Sequence, residues 1–219
     1  MDIENRVAER SVFVTGADGF VGSHLVDWLL DHGADVHAFV RATSSGELNN
    51  IVHRSGEVTV HRGDLRDPHS VKRALSALSP HDDGLVFHLA AQAHVGESWE
   101  RPYDTVDTNV LGTLNLLQAI VDLDLDIARF DTAGTSEEYG NVKEEMVDAH
   151  DFEEDGRVLL SERSPVNPKS VYATSKLAAD FLTMNYYDAY GIPTVTTRMF
   201  NNYGPRQNPR YITGTIITQ

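Results

Sequence analysis

Segments with the character of strands and segments with helical periodicity alternate along most of the chain. In the clearest helical segment, Val106, Val110, Leu114, Leu117 and Val121 recur every three or four residues and form one apolar stripe. Alternation of this kind predicts a parallel sheet covered by helices, an α/β fold of the doubly wound Rossmann type. The predicted strands end just before residue 16 and span 35–40, 57–61, 84–89 and 126–133, and the predicted helices include 21–32, 103–122 and 172–190.

Three glycines interrupt the chain between the first strand and the first helix. Gly16 would permit a tight turn, Gly19 the close approach of a pyrophosphate to the backbone, and Gly22 the packing of the helix against the strand. The helix N-terminus then offers free amides and a positive dipole end to phosphates. The spacing is Gly-x-x-Gly-x-x-Gly, which also occurs in ordinary turns, but its context favours dinucleotide binding. The intervening Asp18, Phe20 and Val21 are assigned to the same cofactor site.

The end of the second strand indicates which dinucleotide is bound. In this layout the residue about twenty positions after the glycines meets the adenosine ribose. Arg41 stands there, followed by Thr43 and two serines, and these side chains can donate hydrogen bonds to a 2′-phosphate. The sequence therefore favours NADP, with NAD as the alternative. Arg41 could also be only a solvated strand end.

Two further strand ends are assigned to the cofactor. Asp64, next to Leu65, could accept a hydrogen bond from the adenine amino group or could cap the following helix. Leu89, Ala90 and Ala91 follow the fourth strand, and their small side chains would let the nicotinamide ribose and phosphate lie against backbone.

Composition excludes several classes of function. The chain has 219 residues, no cysteine and a net charge of −15, which argues against a nucleic-acid partner. No run suggests a signal peptide or a membrane span, so we expect a cytoplasmic protein with no membrane partner. The 10 histidines show no metal-ligand spacing, and no metal site is predicted. The acidic, lysine-poor composition is typical of a halophilic protein, although an ordinary acidic enzyme fits equally well.

Two segments suggest chemistry rather than binding. A polar cluster, 134–140, follows the fifth strand at the edge where open α/β sheets hold their ligands. Tyr172 and Lys176 stand four residues apart on one face of a predicted helix. An ammonium beside a phenol favours the phenolate, so Lys176 is expected to lower the pKa of Tyr172 and make it a usable base.

Together these motifs resemble the extended short-chain dehydrogenase/reductase family, specifically its nucleotide-sugar epimerases and dehydratases. The resemblance implies NAD(P) on the glycine loop, Tyr172 as the base that takes the sugar O4 proton, and Lys176 holding the nicotinamide ribose. The matching segments are 15–22, Asn109 within Asn-Val-Leu-Gly-Thr, the Tyr172 and Lys176 pair, and 198–205.

The cluster after the fifth strand suggests the branch of that family. Loss of water from C6 requires a carboxylate that removes the C5 proton, whereas an epimerase needs none. By resemblance Thr135 would bond the sugar O4, Glu137 would be the C5 base, and Ser136 would lie against substrate. The Thr-Ser-Glu form looks more like GDP-mannose than dTDP-glucose 4,6-dehydratases. Glu137 would then serve as both base and acid unless Glu138 assists it.

The resemblance also sets the expected organisation. Residues 1–198 would form the NAD(P)-binding domain and 199–219 the start of a truncated substrate-binding region, with most of the C-terminal substrate domain missing. Asn201 matches a residue that touches substrate phosphates. The expected partners are a nucleotide-activated hexose and a second copy of the chain in a homodimer. A 4-epimerase and a non-catalytic dinucleotide-binding fragment remain alternatives.

Overall fold

The protein is built on one parallel sheet, seen in a computed structural model that describes residues 7–78, 83–142, 150–211 and 216. The six strands lie in the order β3-β2-β1-β4-β5-β8, and each neighbouring pair is parallel. The order reverses at β1, so the crevice between the ends of β1 and β4 is the topological switch point. The strands are β1 Ser11–Thr15, β2 Asp35–Arg41, β3 Thr59–Gly63, β4 Gly84–His88, β5 Ile127–Ala133 and β8 Thr194–Thr197, and a separate hairpin pairs β6 Asp151–Phe152 with β7 Val158–Leu159.

Helices cover both faces of the sheet and confirm the predicted doubly wound α/β fold. They are α1 Phe20–Asp31, α2 Pro68–Leu75, α3 Val95–Glu100, α4 Pro102–Val106, α5 Gly112–Asp122 and α6 Val171–Tyr190. The five predicted strands are found within about two residues of their predicted ends, a normal uncertainty for element boundaries. Strand β8 was not predicted, because its alternating exposure leaves little apolar signal in so short a segment.

The core lies on the two sides of the sheet. All five residues of β1 are buried, because a central parallel strand has helices on both faces. Phe13 packs on one side with Leu116, Leu117 and Phe130, among others. Val12 and Val14 pack on the other side in the cluster that contains α1.

The predicted helix 103–122 is divided into three parts. A π-helix, Asp107–Leu111, separates α4 from α5. The predicted apolar stripe is divided as well, since Leu117 is buried whereas Val106 is exposed. None of the helices in the described segments is long and apolar enough to cross a membrane. Of the acidic stretch between the fifth strand and α6, residues 143–149 lie outside the described part.

Candidate active site

The glycine loop has the geometry that its sequence predicts. Gly16 has φ +68°, and a Cβ there would lie 2.9 Å from the amide nitrogen of Ala90. A Cβ on Gly19 would lie 3.0 Å, and one on Gly22 2.1 Å, from the carbonyl oxygen of Gly16. Side chains are therefore excluded on the inner side of the loop. Backbone amides face the cleft where β1 meets α1, and this cradle fits a pyrophosphate.

Asp18 lines the cleft beside the glycine loop, and its carboxylate is bonded to the segment after β2. Its Oδ1 accepts the backbone N–H groups of Asn50 (2.7 Å) and Ile51 (3.0 Å), and its Oδ2 accepts that of Asn49 (2.9 Å). Asp18 thus fastens the segment after β2 to the glycine loop. Phe20 and Val21 line the cleft as predicted for residues beside the cofactor.

Arg41 lies at the end of β2 beside a small polar cavity of about 340 Å³. The cavity is continuous with the glycine loop, and Thr43 and Ser45 also line it. Arg41 is exposed, and its charge contributes to lowering the pKa of Asp64. Arg41 and these hydroxyls thus lie together beside the glycine loop.

Asp64 is held by its neighbour Arg66. Two hydrogen bonds, of 2.6 and 2.9 Å, join the Arg66 guanidinium to the carboxylate. These bonds lower the pKa of Asp64 to about 2 against the opposing effect of burial. The cap of α2 is Asp67, which accepts the N–H of His69, so Asp64 is not the helix cap. Leu65 is buried beneath the adenine side of the cleft.

Asn109 occupies the π-helix and ties three elements together. Its amide oxygen accepts the N–H of Gln92 (2.8 Å), and its amide nitrogen donates to the Gln92 carbonyl (3.1 Å) and to Ser175 Oγ (2.9 Å). The loop after β4, which begins with Leu89, Ala90 and Ala91 and lines the cleft, is thereby fixed to α6. His94 caps α3 by accepting the N–H of Glu97, as a locally bonded loop histidine does.

Thr135, Tyr172 and Lys176 meet at the carboxyl edge of the sheet. Tyr172 and Thr135 both line the cleft. Burial raises the pKa of Tyr172, and the charges of Glu138 and Glu137 add to this effect, while Thr135 opposes it. The expected lowering of this pKa by Lys176 is not found in the structure described, because burial of the phenol is the largest effect on it and the charge of Lys176 is not among the main ones. Burial lowers the pKa of Lys176 to about 8.

The two adjacent acids of the cluster have opposite environments. Glu137 is exposed and lines the cleft together with Ser136. Glu138 is 0% exposed and turned into the protein. Of the two carboxylates, Glu137 alone lines the cleft. Asn201 lies at the far end of the same cleft.

One cleft of about 1620 Å³ joins all these parts, from the glycine loop to residues 199–211. Among the residues that the structure describes, no three His, Asp or Glu side chains are grouped as metal ligands.

Sequence reasoning missed a buried ionic network behind Thr135. Arg198 joins Glu138 (Nε to Oε2, 2.7 Å) to Asp180 (Nη2 to Oδ2, 2.6 Å), and its guanidinium carbon lies 5.3 Å from the centre of the Tyr139 ring. In the sequence, Arg198 is only the first residue of the family motif 198–205. No sequence signal connects it to two acids that are 60 and 18 residues away in the chain, as counted from their numbers.

Comparison with known proteins places the chain among sugar-nucleotide enzymes. The family model "GDP-mannose 4,6 dehydratase" matches residues 13–219. A GDP-mannose 4,6-dehydratase of Sordaria araneosa is 37% identical over 213 residues, covering 96% of this chain and 36% of that protein. GDP-mannose 4,6 dehydratase 1 of Arabidopsis thaliana is 33% identical over 218 residues, covering 94% and 56%.

Solved structures show the same fold. DesIV, a dTDP-glucose 4,6-dehydratase of Streptomyces venezuelae with NAD bound, superposes with a TM-score of 0.79 at 30% identity, covering 95% of this chain and 61% of that one. UDP-glucose 4-epimerase of Thermus thermophilus, in complex with NAD, gives 0.76 at 35% identity, covering 95% and 60%. The chain thus spans between about a third and three fifths of the length of these relatives.

Proposed function

The chain belongs to the GDP-mannose 4,6-dehydratase family, and from this premise we propose that it carries the cofactor site and catalytic groups of a nucleotide-sugar 4,6-dehydratase. The observation that supports this most is the placement of Glu137. An exposed carboxylate stands in the cleft two residues from Thr135, and Tyr172 lines the same cleft. The base Tyr172, the hydroxyl of Thr135 and the acid Glu137 thus line the cleft in which we propose that the sugar binds.

The proposed chemistry divides among these residues. Tyr172 takes the O4 proton of the sugar, and Thr135 orients that oxygen by a hydrogen bond. A dinucleotide held on the glycine loop would supply the hydride acceptor for C4 and the hydride that reduces C6. As C6 is reduced, C5 takes a proton from solvent and Tyr172 releases the proton that it took from O4. Once C4 is a ketone, the proton on C5 is acidic, and Glu137 removes it and protonates the departing C6 hydroxyl. Ser136 and Asn201 contribute polar contacts to the substrate. The product is a 4-keto-6-deoxy sugar.

We propose NADP as the cofactor and a GDP-hexose, such as GDP-mannose, as the substrate. The cofactor assignment rests on Arg41 and the hydroxyls of Thr43 and Ser45 around the cavity beyond the glycine loop. An Arg–phosphate contact with hydroxyl donors is a charge-assisted arrangement that NAD cannot use. Arg41→Ala should weaken NADP binding about tenfold or more and leave NAD binding nearly unchanged, because one charge-assisted contact is worth ~1.5–3 kcal/mol. Isothermal titration with both dinucleotides measures this.

The decisive experiment is incubation of the purified protein with NADP and GDP-mannose in D₂O, followed by mass spectrometry. Loss of one water, together with incorporation of deuterium from the solvent into the product, supports the dehydratase. Glu137→Gln should abolish the loss of water while leaving NADP affinity intact, and Glu154→Gln, an exposed acid on the β6–β7 hairpin, is the matched control.

The other outcomes distinguish the alternatives. An isomeric sugar of unchanged mass would indicate a 4-epimerase and refute the proposed role of Glu137. Binding of NADP with no change in any of the GDP-, dTDP- and UDP-hexoses would indicate a dinucleotide-binding chain without catalysis. Tyr172→Phe would then have no measurable consequence.

We further propose a homodimer formed through the helices on one side of the molecule. Helix α6 packs against α3 and α4 and continues their surface. Eight large apolar residues are 41–85% exposed there, and a pairing of two copies would bury them. They are Trp99, Tyr103, Val106 and Leu111, with Phe181, Met184, Tyr187 and Tyr190 on α6. Sedimentation equilibrium distinguishes a dimer from a monomer.

We also propose that the protein is cytoplasmic and salt-adapted, on the basis of its net charge of −15.

A further inference from the structure

Glu138 is a carboxylate in a place where carboxylates are costly. Its side chain is 0% exposed, although Glu138 belongs to the short turn that begins at Thr135 and lines the cleft. Burial raises its pKa, as desolvation does for any acid, while the Thr135 amide and Arg198 act in the opposite direction. A buried charge persists only when it is paired and hydrogen-bonded. The contacts of Glu138 therefore show what retains it.

Each oxygen of Glu138 has its own partner. Oε1 accepts the backbone N–H of Thr135 at 2.9 Å, and Oε2 is 2.7 Å from Nε of Arg198 in an ion pair that lacks hydrogen-bond geometry. Arg198 in turn holds Asp180, whose other oxygen accepts the hydroxyl of Thr196 at 2.7 Å. Glu138 thus connects the turn that carries Thr135 to the helix that carries Tyr172 and Lys176.

The absence of a side chain at Gly134 leaves space for this connection. A Cβ at that position would lie 2.9 Å from Oε1 of Glu138 and 3.0 Å from Cγ of Arg198. Any larger residue would displace one of the two side chains. Gly134, between β5 and this turn, is thus explained by the ion pair. Its backbone conformation does not require glycine, since its φ lies outside the left-handed region.

The charges around the network balance only when Lys176 is included. Glu138 and Asp180 are two buried carboxylates, and Arg198 neutralises one of them. Lys176 is 3% exposed and lies one helical turn from Asp180. Both carboxylates favour its charged form, against the larger effect of burial. If Glu138 were neutral, Arg198 and Asp180 would satisfy each other and Lys176 would be an unbalanced buried cation.

Other titratable groups near Lys176 do not replace Glu138. His88 on β4 is buried between Thr15 and Thr113, and burial together with the charge of Lys176 lowers its pKa to about 3, so it is neutral. Asp131 on β5 accepts the hydroxyl of Thr197 and is not among the charges that shift the pKa of Lys176.

We propose that Glu138 is a positioning residue that fixes Thr135 against helix α6 and supplies the negative charge that keeps Lys176 protonated. The proposal deepens the proposed function, because Tyr172 and Lys176 belong to the same site. The proposed role of Glu138 differs from that of an ordinary capping-box residue. Thr135 and Glu138 form a capping box, and glutamine serves in a capping box as well as glutamate does.

Lysine NMR tests the proposal without any turnover. The chain has only four lysines, so protein labelled with ¹³Cε-lysine gives few signals, and Lys176→Met identifies the one from Lys176. The midpoint of its titration is expected near 8 in the unmodified protein. In Glu138→Gln the midpoint should fall by about one pH unit or more, since loss of a buried opposite charge typically has an effect of that size.

Glu137→Gln is the matched control. It removes the same charge from the neighbouring position, but Glu137 is exposed to solvent and its charge is screened. The Lys176 midpoint should then move by a few tenths of a pH unit at most. Equal midpoints in Glu138→Gln and the unmodified protein would overturn the proposal and leave Glu138 as a helix cap.

If Glu138→Gln does not fold, Asp180→Asn removes one charge from the same balance and should lower the Lys176 midpoint in the same way. An unchanged midpoint there would refute the charge balance. Failure of the proposed dehydratase activity would not affect either titration. If that activity is present, the alkaline limb of the kcat profile should move down in Glu138→Gln together with the Lys176 midpoint.

Discussion

The contact between Gly22 and Gly16 permits a quantitative test of the cofactor loop. A Cβ at position 22 would lie 2.1 Å from the Gly16 carbonyl oxygen and 2.8 Å from its carbonyl carbon. Non-bonded carbon and oxygen atoms are separated by ~3.3 Å or more, so in Gly22→Ala the loop must move roughly 1 Å away from α1. Both atoms belong to the backbone, and neither can be relieved by a rotamer change.

The expected cost follows from two opposing effects. Overpacking of this kind costs ~1–3 kcal/mol, whereas alanine in a helix gains up to ~1 kcal/mol over glycine. The net loss in the free energy of unfolding should be about 1–2 kcal/mol, which lowers Tm by ~2–8 °C in a chain of this size. The displaced amides should also weaken NADP binding, by about tenfold for each ~1.4 kcal/mol of lost contact.

Urea unfolding and NADP titration of the same variant check both effects. Gly56→Ala is the matched control, because a Cβ there meets no atom within 4 Å and its φ is outside the left-handed region. It should change stability by no more than about 0.5 kcal/mol. If Gly22→Ala matches Gly56→Ala in both stability and NADP affinity, the close packing of strand, loop and helix is not what position 22 provides.

Three further predictions concern His88, Asp18 and Gly140. The pKa of His88 is lowered from 6.5 to about 3 by burial, so the unfolded chain binds a proton that the folded protein does not, and stability is lost as pH falls from 6.5 towards 3. The free energy of unfolding in urea should therefore decrease more steeply between pH 6.5 and 5 in the unmodified protein than in His88→Gln, by about 1.4 kcal/mol per pH unit, and parallel curves would contradict this. Asp18→Ala should cost about 2 kcal/mol and weaken NADP binding, because residues 49–51 lose their acceptor, whereas Asp18→Asn should retain part of both. Gly140→Ala should destabilise by more than about 1 kcal/mol in thermal unfolding, since φ is +59° and a Cβ would lie 2.0 Å from the Asn167 carbonyl oxygen, and an unchanged Tm would refute the contact.

Much of the fold could be predicted because its signals are local. The alternation of strands and helices, the turn at Gly16 and the pairing of Tyr172 with Lys176 depend on residues within a few positions of one another. The parallel sheet follows from that order, since right-handed connections leave few other arrangements. The family followed from motifs in the same order along the chain.

Several expectations changed where packing brought distant segments together. Asp18 is hydrogen-bonded to residues after β2 and Asp64 to Arg66, contacts that the sequence did not indicate, and both residues line the cleft. The helix around Asn109 contains a π-turn, in which the side chain of Asn109 bonds the loop after β4 and α6. Helical periodicity cannot show such an irregularity, because one extra residue in a turn hardly alters the apolar pattern.

The sequence by itself determined which groups are present: a phosphate loop, a tyrosine and lysine on one helical face, and two adjacent acids after the fifth strand. Only the tertiary structure decided that Glu137 faces the cleft while Glu138 is buried against Arg198. The reason is that burial and pairing depend on what lies across the sheet edge, and the charge that a side chain carries depends in turn on burial and pairing.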